Sequence, residues 1–155
     1  MEAALRTAVE TLTGEELKNL DFTEVRGTKC IKEATYKVGD LDVKVAVASG
    51  LNNARVIMDK IRTGEADYQF VEIMCCEGGC VNGGGQPQVH ADIRNFEDVK
   101  ALRAKALYNN DAAKTIRKSH ENPSIKKVYA DYLEKPGSEK AHHILHTSYV
   151  ERTIN

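Results

Sequence analysis

The segment from Glu72 to Pro87 carries most of the residues in this chain that could do inorganic chemistry. It contains three of the four cysteines and five of the eleven glycines in the 155-residue sequence. Cysteine thiolates are soft ligands that suit iron–sulfur clusters, zinc or copper. Glycine lets the backbone turn sharply and pass close to a bulky inorganic group. The segment therefore predicts a loop that cradles a metal ion or a cluster.

Two cysteines of this segment are the candidate metal ligands. Cys76 and Cys80 form a C-x3-C pair, a spacing that alone is a weak signal and leaves ordinary thiols as the alternative. Cys75 would point away from Cys76, because neighbouring side chains in extended backbone face opposite sides. Cys30 precedes an alternating strand and is predicted to be a small core residue. Because a four-iron cluster takes four thiolates, two ligands would come from another chain or from a longer protein containing this one.

A second group of possible ligands lies near the C-terminus. His142 and His146 are spaced i, i+4 beside His143 on a predicted helix, and this spacing can chelate zinc. The sequence offers no evident third ligand and no glutamate between them in the metalloprotease arrangement. We therefore favour histidines bonded to backbone or water. The glycine run 83–85 does not continue into Lys-Ser/Thr as a phosphate-binding loop would.

The composition places these residues in a globular protein. Apolar residues make up 41% and charged residues 29% of the sequence, which is typical of a folded domain. The formal net charge of −1 gives no electrostatic reason to expect nucleic acid as a partner. We expect no membrane association, because no apolar run approaches the roughly 18 residues of a membrane span. The few cysteines do not resemble a secreted disulfide framework, so a reducing, cytoplasmic location is expected.

The loop is predicted to follow the last strand of a small α/β sheet. Alternating apolar residues within 31–49 predict a hairpin whose second strand becomes fully buried. Asn52 or Asn53 is predicted to cap the next helix, which would end at Gly64. Residues from Tyr68 to Met74 are predicted to form a short strand. Strand, helix and strand make a βαβ unit, and such units place ligand loops at the carboxyl ends of their strands.

Helices are predicted on both sides of this unit. An early apolar stripe ends at Gly14, a helix C-cap, so the chain is expected to open inside a helix. Asn95 with Asp98 resembles a capping box, and Asn122-Pro123 predicts the start of a later helix. We expect one domain, with residues 1–90 as the α/β part and 91–155 as a helical tail. The apolar face of the helix that follows the hairpin is predicted to be Ala54, Ile57, Met58 and Ile61.

The loop resembles a known signature. Its pattern over 72–87, E-x-M-x-C-x-G-G-C-x-x-G-G-G-Q-P, is similar to the last of three signature motifs of iron-only ([FeFe]) hydrogenases. The resemblance covers essentially the whole chain and implies a fragment of that family's catalytic domain, with a small βαβ-containing sheet, flanking helices and a helical C-terminal tail. The further similar segments are LDF at 20–22, VRG at 25–27, IKEA at 31–34, GEADY at 64–68, LY at 107–108, SHENP at 119–123 and HILHTSY at 143–149.

This resemblance implies a cofactor, the H-cluster. In the family, a [4Fe-4S] cluster is joined through one cysteine sulfur to a di-iron subsite with carbonyl and cyanide ligands. By position, Cys76 is similar to a ligand of the four-iron part and Cys80 to the bridging cysteine. Met74 resembles the methionine that packs against the di-iron subsite. The resemblance further suggests that the amides of Gly78 and Gly79 hydrogen-bond cluster sulfurs, and that Gln86 with Pro87 fixes the exit of the loop.

The chain departs from the family pattern in three ways. Cys75 stands where the family usually has alanine, and Glu77 where proline or another residue is common. The family's other two cysteine motifs, with two cluster ligands, a proton-relaying cysteine and a lysine, have no counterpart in this sequence. The resemblance therefore implies a C-terminal fragment that contains no catalytic residue of its own. Such a fragment is expected to be inactive, to hold no H-cluster when isolated and to have a mobile segment from about Cys75 to Val89.

Three functions follow as alternatives. The first is the cluster-binding part of a hydrogenase of anaerobes, which interconverts protons and H2 with electrons from a carrier such as ferredoxin, reached through the missing parts of the protein. The second is a non-catalytic iron–sulfur relative that acts as a redox or H2 sensor or in iron–sulfur assembly, for which the spare thiol of Cys75 leaves room. The third is a small zinc- or cluster-binding module complete as it stands.

Overall fold

The computed structural model describes residues 1–151, which fall into two compact units, Met1–Arg117 and the residues from Lys118 onward. The first unit contains a three-stranded sheet and four helices, and the second contains two short α-helices and a π-helical turn. The prediction of a single domain stays a prediction. The elements are α1 (Glu2–Thr13), β1 (Ile31–Val38), β2 (Leu41–Ser49), α2 (Leu51–Thr63), β3 (Phe70–Met74), α3 (Ala91–Arg94), α4 (Val99–Ala112), α5 (Pro123–Val128) and α6 (Glu139–Leu145).

The sheet has the order β1-β2-β3 and confirms the predicted βαβ unit. β1 and β2 form the antiparallel hairpin, with Ile31 opposite Ala48. β2 and β3 are parallel, with Ser49 beside Met74, and α2 connects them. Residues 45–49 are all buried, as expected for a central strand covered on both faces.

Alternation along β2 divides the core into two clusters. Val45 and Val47 face a cluster that includes Leu5 of α1, and Met74 packs against it. Ala46 and Ala48 face Ile57 of α2 on the opposite side of the sheet. The small alanines let α2 approach the sheet closely, whereas the valines fill the wider space below α1.

The predicted cap of α2 is wrong. The helix is capped by Gly50, with φ of 85°, because Asn53 lies inside the first turn and donates its side-chain amide to the Ser49 carbonyl oxygen at 2.6 Å. Of the predicted apolar face only Ile57 is buried, and Met58 is 50% exposed. A three-stranded sheet offers the helix a narrow surface, which the central Ile57 occupies alone. Gly64 ends the helix in the left-handed conformation, as predicted.

A network of ion pairs joins α1 to the end of α4. The buried Arg6 donates hydrogen bonds from its two terminal nitrogens to both carboxylate oxygens of Asp111, at 3.0 and 2.9 Å. Arg117 also donates to Asp111, at 2.7 Å, and reaches Asp21 at 2.6 Å. The Arg6 guanidinium, helped by Arg117, holds the pKa of the Asp111 carboxyl well below its usual range. This network fixes the end of α4 against α1.

The start of α4 corrects the predicted capping box. Asp98 caps α4 by accepting a hydrogen bond from the Ala101 amide at 3.0 Å. Asn95 instead lies at the end of α3, a single helical turn that the sequence pattern did not separate from α4.

The second unit follows its predicted caps. Asn122 accepts a hydrogen bond from the Ser124 amide at 2.9 Å, and Pro123 is the first residue of α5. α5 continues into a π-helical turn, Tyr129–Leu133. Ser138 caps α6 by accepting from the Ala141 amide at 3.0 Å. None of the helices in residues 1–151 combines the length and apolar character that crossing a bilayer requires.

Candidate cluster-binding loop

The predicted ligand loop lies at the carboxyl end of β3, where parallel strands of α/β sheets place their binding sites. We call residues 75–87 the cluster loop. It begins directly after Met74, whose carbonyl oxygen accepts a hydrogen bond from the Gly50 amide at 2.7 Å. The start of the loop is therefore held beside the end of β2.

The cluster loop is organised by its own hydrogen bonds. A 3₁₀ turn runs from Gly79 to Asn82. The Gly79 amide donates to the Cys76 carbonyl oxygen at 2.8 Å, and the Gly83 amide to the Cys80 carbonyl oxygen at 3.3 Å. The Gln86 side-chain amide donates to the same Cys80 oxygen at 3.1 Å. The Gly79 amide thus closes the turn on itself, and the hydrogen bonds from the Gly78 and Gly79 amides to cluster sulfurs stay a prediction.

Packing explains why Gly79 must be glycine. Gly79 is buried and has a φ of +78°. A Cβ added to it would lie 3.0 Å from Met74 Sδ and 3.1 Å from Met74 Cε. Any side chain there would meet both an unfavourable backbone conformation and the thioether. Met74 also packs on the core, so it connects the loop to the sheet.

Sequence reasoning missed the residues that hold the loop from outside. Arg103 of α4 donates to the Val81 carbonyl oxygen at 3.1 Å and also to the Pro87 carbonyl oxygen. One guanidinium therefore bridges two loop carbonyls on either side of the glycine run. Lys100, one turn earlier, packs its stem against Gly78, where an added Cβ would lie 3.2 Å from Lys100 Cδ. Mobility of the segment from about Cys75 to Val89 stays a prediction; it was argued from few contacts, and the structure adds these contacts from α4.

A cleft of about 660 Å³ opens beside the exit of the loop. Loop residues form one wall, and α3 and the first turns of α4 form the other. Its charged groups are of both signs, three basic and two acidic. They are Arg94, Glu97, Asp98, Lys100 and Arg103.

The four cysteines are free thiols with different exposure. Cys76 is half-buried, whereas Cys75 and Cys80 are exposed, which agrees with opposite orientations for Cys75 and Cys76. Cys30 is half-buried, and its Sγ lies 3.6 Å from Glu77 Oε1. Cys30 is therefore not the core residue that was predicted, because the turn before β1 places it against the cluster loop.

The residues present match half of a four-iron site. Cys76 and Cys80 flank a tight glycine turn, and their thiolates are the soft ligands that suit an iron–sulfur cluster. Within residues 1–151, no third cysteine, histidine or carboxylate joins this pair at ligand distance. The remaining two thiolates would come from elsewhere.

The C-terminal histidines are arranged as a stacked pair. The rings of His142 and His146 lie 4.1 Å apart between centroids and tilt by 33°. Both are exposed, as is His143. Within residues 1–151, these three histidines belong to no group of three potential ligand residues.

Two family models together match most of this chain. Residues 1–84 match the family model for the iron-only hydrogenase large subunit, C-terminal domain, and residues 97–152 match that for the iron hydrogenase small subunit. The chain belongs to the iron-only hydrogenase family and corresponds to the C-terminal part of its large-subunit domain.

Three relatives illustrate the range of similarity. The NADP-reducing hydrogenase subunit HndD of Solidesulfovibrio fructosivorans is 47% identical over 152 residues, which cover 98% of this chain and 25% of that protein. The [FeFe]-hydrogenase HydA1 of Chlamydomonas reinhardtii superposes with a TM-score of 0.70 at 40% identity, covering 96% of this chain and 43% of that structure. The cytosolic Fe-S cluster assembly factor narfl of Danio rerio is 34% identical over 149 residues, covering 95% and 33%. The chain spans a quarter of the length of HndD and a third of the length of narfl.

Proposed function

We propose that this chain supplies the cluster loop of an iron-only hydrogenase, a protein that interconverts H2 with protons and electrons. Cys76 provides a thiolate to the [4Fe-4S] part of the H-cluster, and Cys80 provides the thiolate shared with the di-iron subsite. The observation that carries this proposal is the Gly78-Gly79 turn between the two cysteines, packed on Met74 at the end of β3.

The residues of this chain bind and orient the cofactor. When bound, the H-cluster supplies the chemistry that makes and breaks the H–H bond. Met74 packs against the core and against Gly79, and so connects the loop to the sheet. Gln86 and Arg103 hold the loop carbonyls, so the two sulfurs are presented from a fixed backbone. Catalytic residues, the proton path and the contact with an electron carrier such as ferredoxin lie in other parts of the protein, which we place in a reducing cytoplasm.

A chimera tests this proposal. Residues 1–155 would replace the matching segment of HndD, which is 47% identical, and the matured protein would be assayed for iron content and H2 uptake. We expect turnover in the chimera, loss of it in Cys76→Ser and Cys80→Ser, and retention in Cys75→Ser. Cys75 is the matched control, since it is a neighbouring exposed thiol. Turnover that survives Cys80→Ser would refute the assigned role.

A second candidate is iron–sulfur assembly without H2 chemistry. It is favoured by the 34% identity to a cytosolic Fe-S cluster assembly factor over almost the whole chain, and the spare thiol of Cys75 would also suit a redox sensor. The chimera separates these functions, because a loop suited only to assembly would load iron through Cys76 and yet give no H2 uptake.

The self-contained metal module makes a different prediction. Iron and sulfide, or zinc, added to residues 1–155 alone would bind tightly and stoichiometrically through Cys76 and Cys80. We expect substoichiometric, weak binding by the isolated chain, because two thiolates leave half of a four-iron site without ligands.

A further inference from the structure

The outer edge of β3 lacks a neighbouring strand. β3 pairs with β2, and the Met74 carbonyl oxygen points to the β2 side, where it accepts from the Gly50 amide at 2.7 Å. Because the backbone groups of successive residues in a strand point to alternate sides, those of Val71 and Ile73 point away from β2. Within residues 1–151, no strand pairs with that side. Such a row of unpaired amides and carbonyls is a template for a further strand.

The side chains of β3 suit burial better than exposure. The strand has the sequence FVEIM, and Phe70 and Ile73 are each 44% exposed. Its single charge, Glu72, pairs with the Met1 amino group. The opposite outer strand, β1, carries two lysines and a glutamate, and charged side chains discourage pairing at a sheet edge. The sequence therefore protects the β1 edge of the sheet and leaves the β3 edge open to a partner.

The size of the relatives and the position of α1 indicate what fills this edge. The chain covers 25% of HndD and corresponds to the C-terminal part of the large-subunit domain, so most of a protein of that kind precedes residue 1. The Met1 amino group lies 2.9 Å from Glu72 Oε2, near the carboxyl end of β3. A helix that follows a strand of a parallel sheet begins at the carboxyl end of that strand. α1 therefore begins where a helix following a parallel neighbour of β3 would begin.

We propose that the outer edge of β3 binds a further strand, parallel to β3 and supplied by the polypeptide that precedes residue 1 in the longer hydrogenase. This inference rests on the proposed function, since it treats the chain as one part of such a protein. The added strand bonds to the backbone of Val71 and Ile73 and covers the side chains of Phe70 and Ile73. Its own sequence is apolar and rich in β-branched residues, because both faces of β3 carry apolar side chains.

Hydrogen exchange distinguishes an open edge from a paired one. In residues 1–155 alone, the Val71 and Ile73 amides should exchange as exposed groups, whereas the Glu72 amide, which faces β2, should be protected. In the HndD chimera the Val71 and Ile73 amides should slow by at least about a hundred-fold, and the Glu72 amide is the internal control. Equally rapid exchange in both proteins would overturn the inference. Protection of both amides in the isolated chain would also overturn it, and a dependence on concentration would identify a second copy as the occupant.

A charge placed at the edge gives a second measurement. Ile73→Lys should leave the urea midpoint of the isolated chain nearly unchanged, because water reaches this edge there. In the chimera it should restore rapid exchange of the Val71 amide, because a lysine at this position opposes pairing. Leu41→Lys is the matched control, since Leu41 is an exposed apolar residue at the start of β2 in the same sheet. It should leave the Val71 amide protected in the chimera, and equal effects of the two variants would contradict the proposed pairing.

The iron content of the chimera separates this inference from the proposed function. A chimera that loads iron through Cys76 and Cys80 but leaves the Val71 and Ile73 amides unprotected refutes the added strand and leaves the proposed function standing. A chimera whose iron content is insensitive to both cysteines refutes the proposed function itself.

Discussion

Removing the Arg103 guanidinium should loosen the cluster loop without unfolding the sheet. Arg103 donates to the carbonyl oxygens of Val81 and Pro87, and Arg103→Gln would remove the charged fork that reaches both. A charge-assisted hydrogen bond contributes about 1.5–3 kcal/mol when buried. Because these bonds are partly exposed, we expect about 2 kcal/mol for the two together. Since 1.4 kcal/mol is a factor of ten, the opening equilibrium of the loop should rise about thirty-fold.

Hydrogen exchange on the cofactor-free chain measures this change. The reporters are two backbone amides of the loop. The Gly83 amide donates to the Cys80 carbonyl oxygen, and the Gln86 backbone amide donates to the Gly83 carbonyl oxygen at 3.1 Å. Their exchange should accelerate by about thirty-fold if local opening controls it. The Val47 amide in the central strand should keep its rate, because the sheet is intact. The same measurement tests the prediction that the loop is mobile without its cofactor.

Two further variants separate charge from geometry. Arg103→Lys keeps the charge but replaces the fork with a single ammonium, so it should recover little of the protection. Arg94→Gln removes an arginine from the other wall of the same cleft and should leave the loop amides unchanged. The reasoning fails if Arg103→Gln alters exchange at Gly83 and Gln86 by less than a factor of about three, or if Arg94→Gln alters it equally.

The remaining predictions concern the stability of the first unit, Met1–Arg117. Gly79→Ala should lower the free energy of unfolding by about 2 kcal/mol, read as a lower urea midpoint, because its positive φ and the Met74 thioether both oppose a Cβ; an unchanged midpoint would contradict this packing. Asp111→Asn should cost a similar amount, about 2 kcal/mol, because the buried Arg6 loses the carboxylate that accepts two of its hydrogen bonds and, within residues 1–151, keeps only the longer ion pair with Glu2. The lowered pKa of Asp111 means that its contribution is complete above about pH 4, the ordinary carboxyl value, and is lost as the pH falls further. The acid slope of wild-type stability should therefore flatten in Asp111→Asn, and an unaltered slope would assign it to other carboxylates.

Local signals in the sequence were sufficient to predict the sheet and the loop. The hairpin, the βαβ unit and the C-caps at Gly14 and Gly64 follow from alternation and glycine position, because these features depend on residues close in the chain. The place of the cysteines at the end of β3 follows from the same reasoning. The family assignment rested on the spacing of the cysteine motif and is confirmed by the family models.

Contacts between residues far apart in the chain could not be predicted from local sequence patterns. Arg103 on a helix is read as a solvated charge, and only the fold brings it to carbonyls sixteen and twenty-two positions earlier in the chain. Arg6 and Asp111 are 105 positions apart, so no sequence window contains both. The capping error at Asn53 has a different cause. Its side chain satisfies the Ser49 carbonyl, a role that its residue type does not distinguish from a cap.

The bridge made by Arg103 also has a consequence for how members of this family assemble. The cluster loop falls mostly within the part matched by the large-subunit model, residues 1–84, whereas Arg103 falls within the part matched by the small-subunit model, residues 97–152. Where those parts are separate polypeptides, an equivalent bridge would form only when the subunits associate, at a rate set by their concentrations. A single chain replaces that encounter with an intramolecular one at high effective concentration. Covalent continuity across residues 85–96 thus makes bracing of the loop independent of how much protein the cell contains.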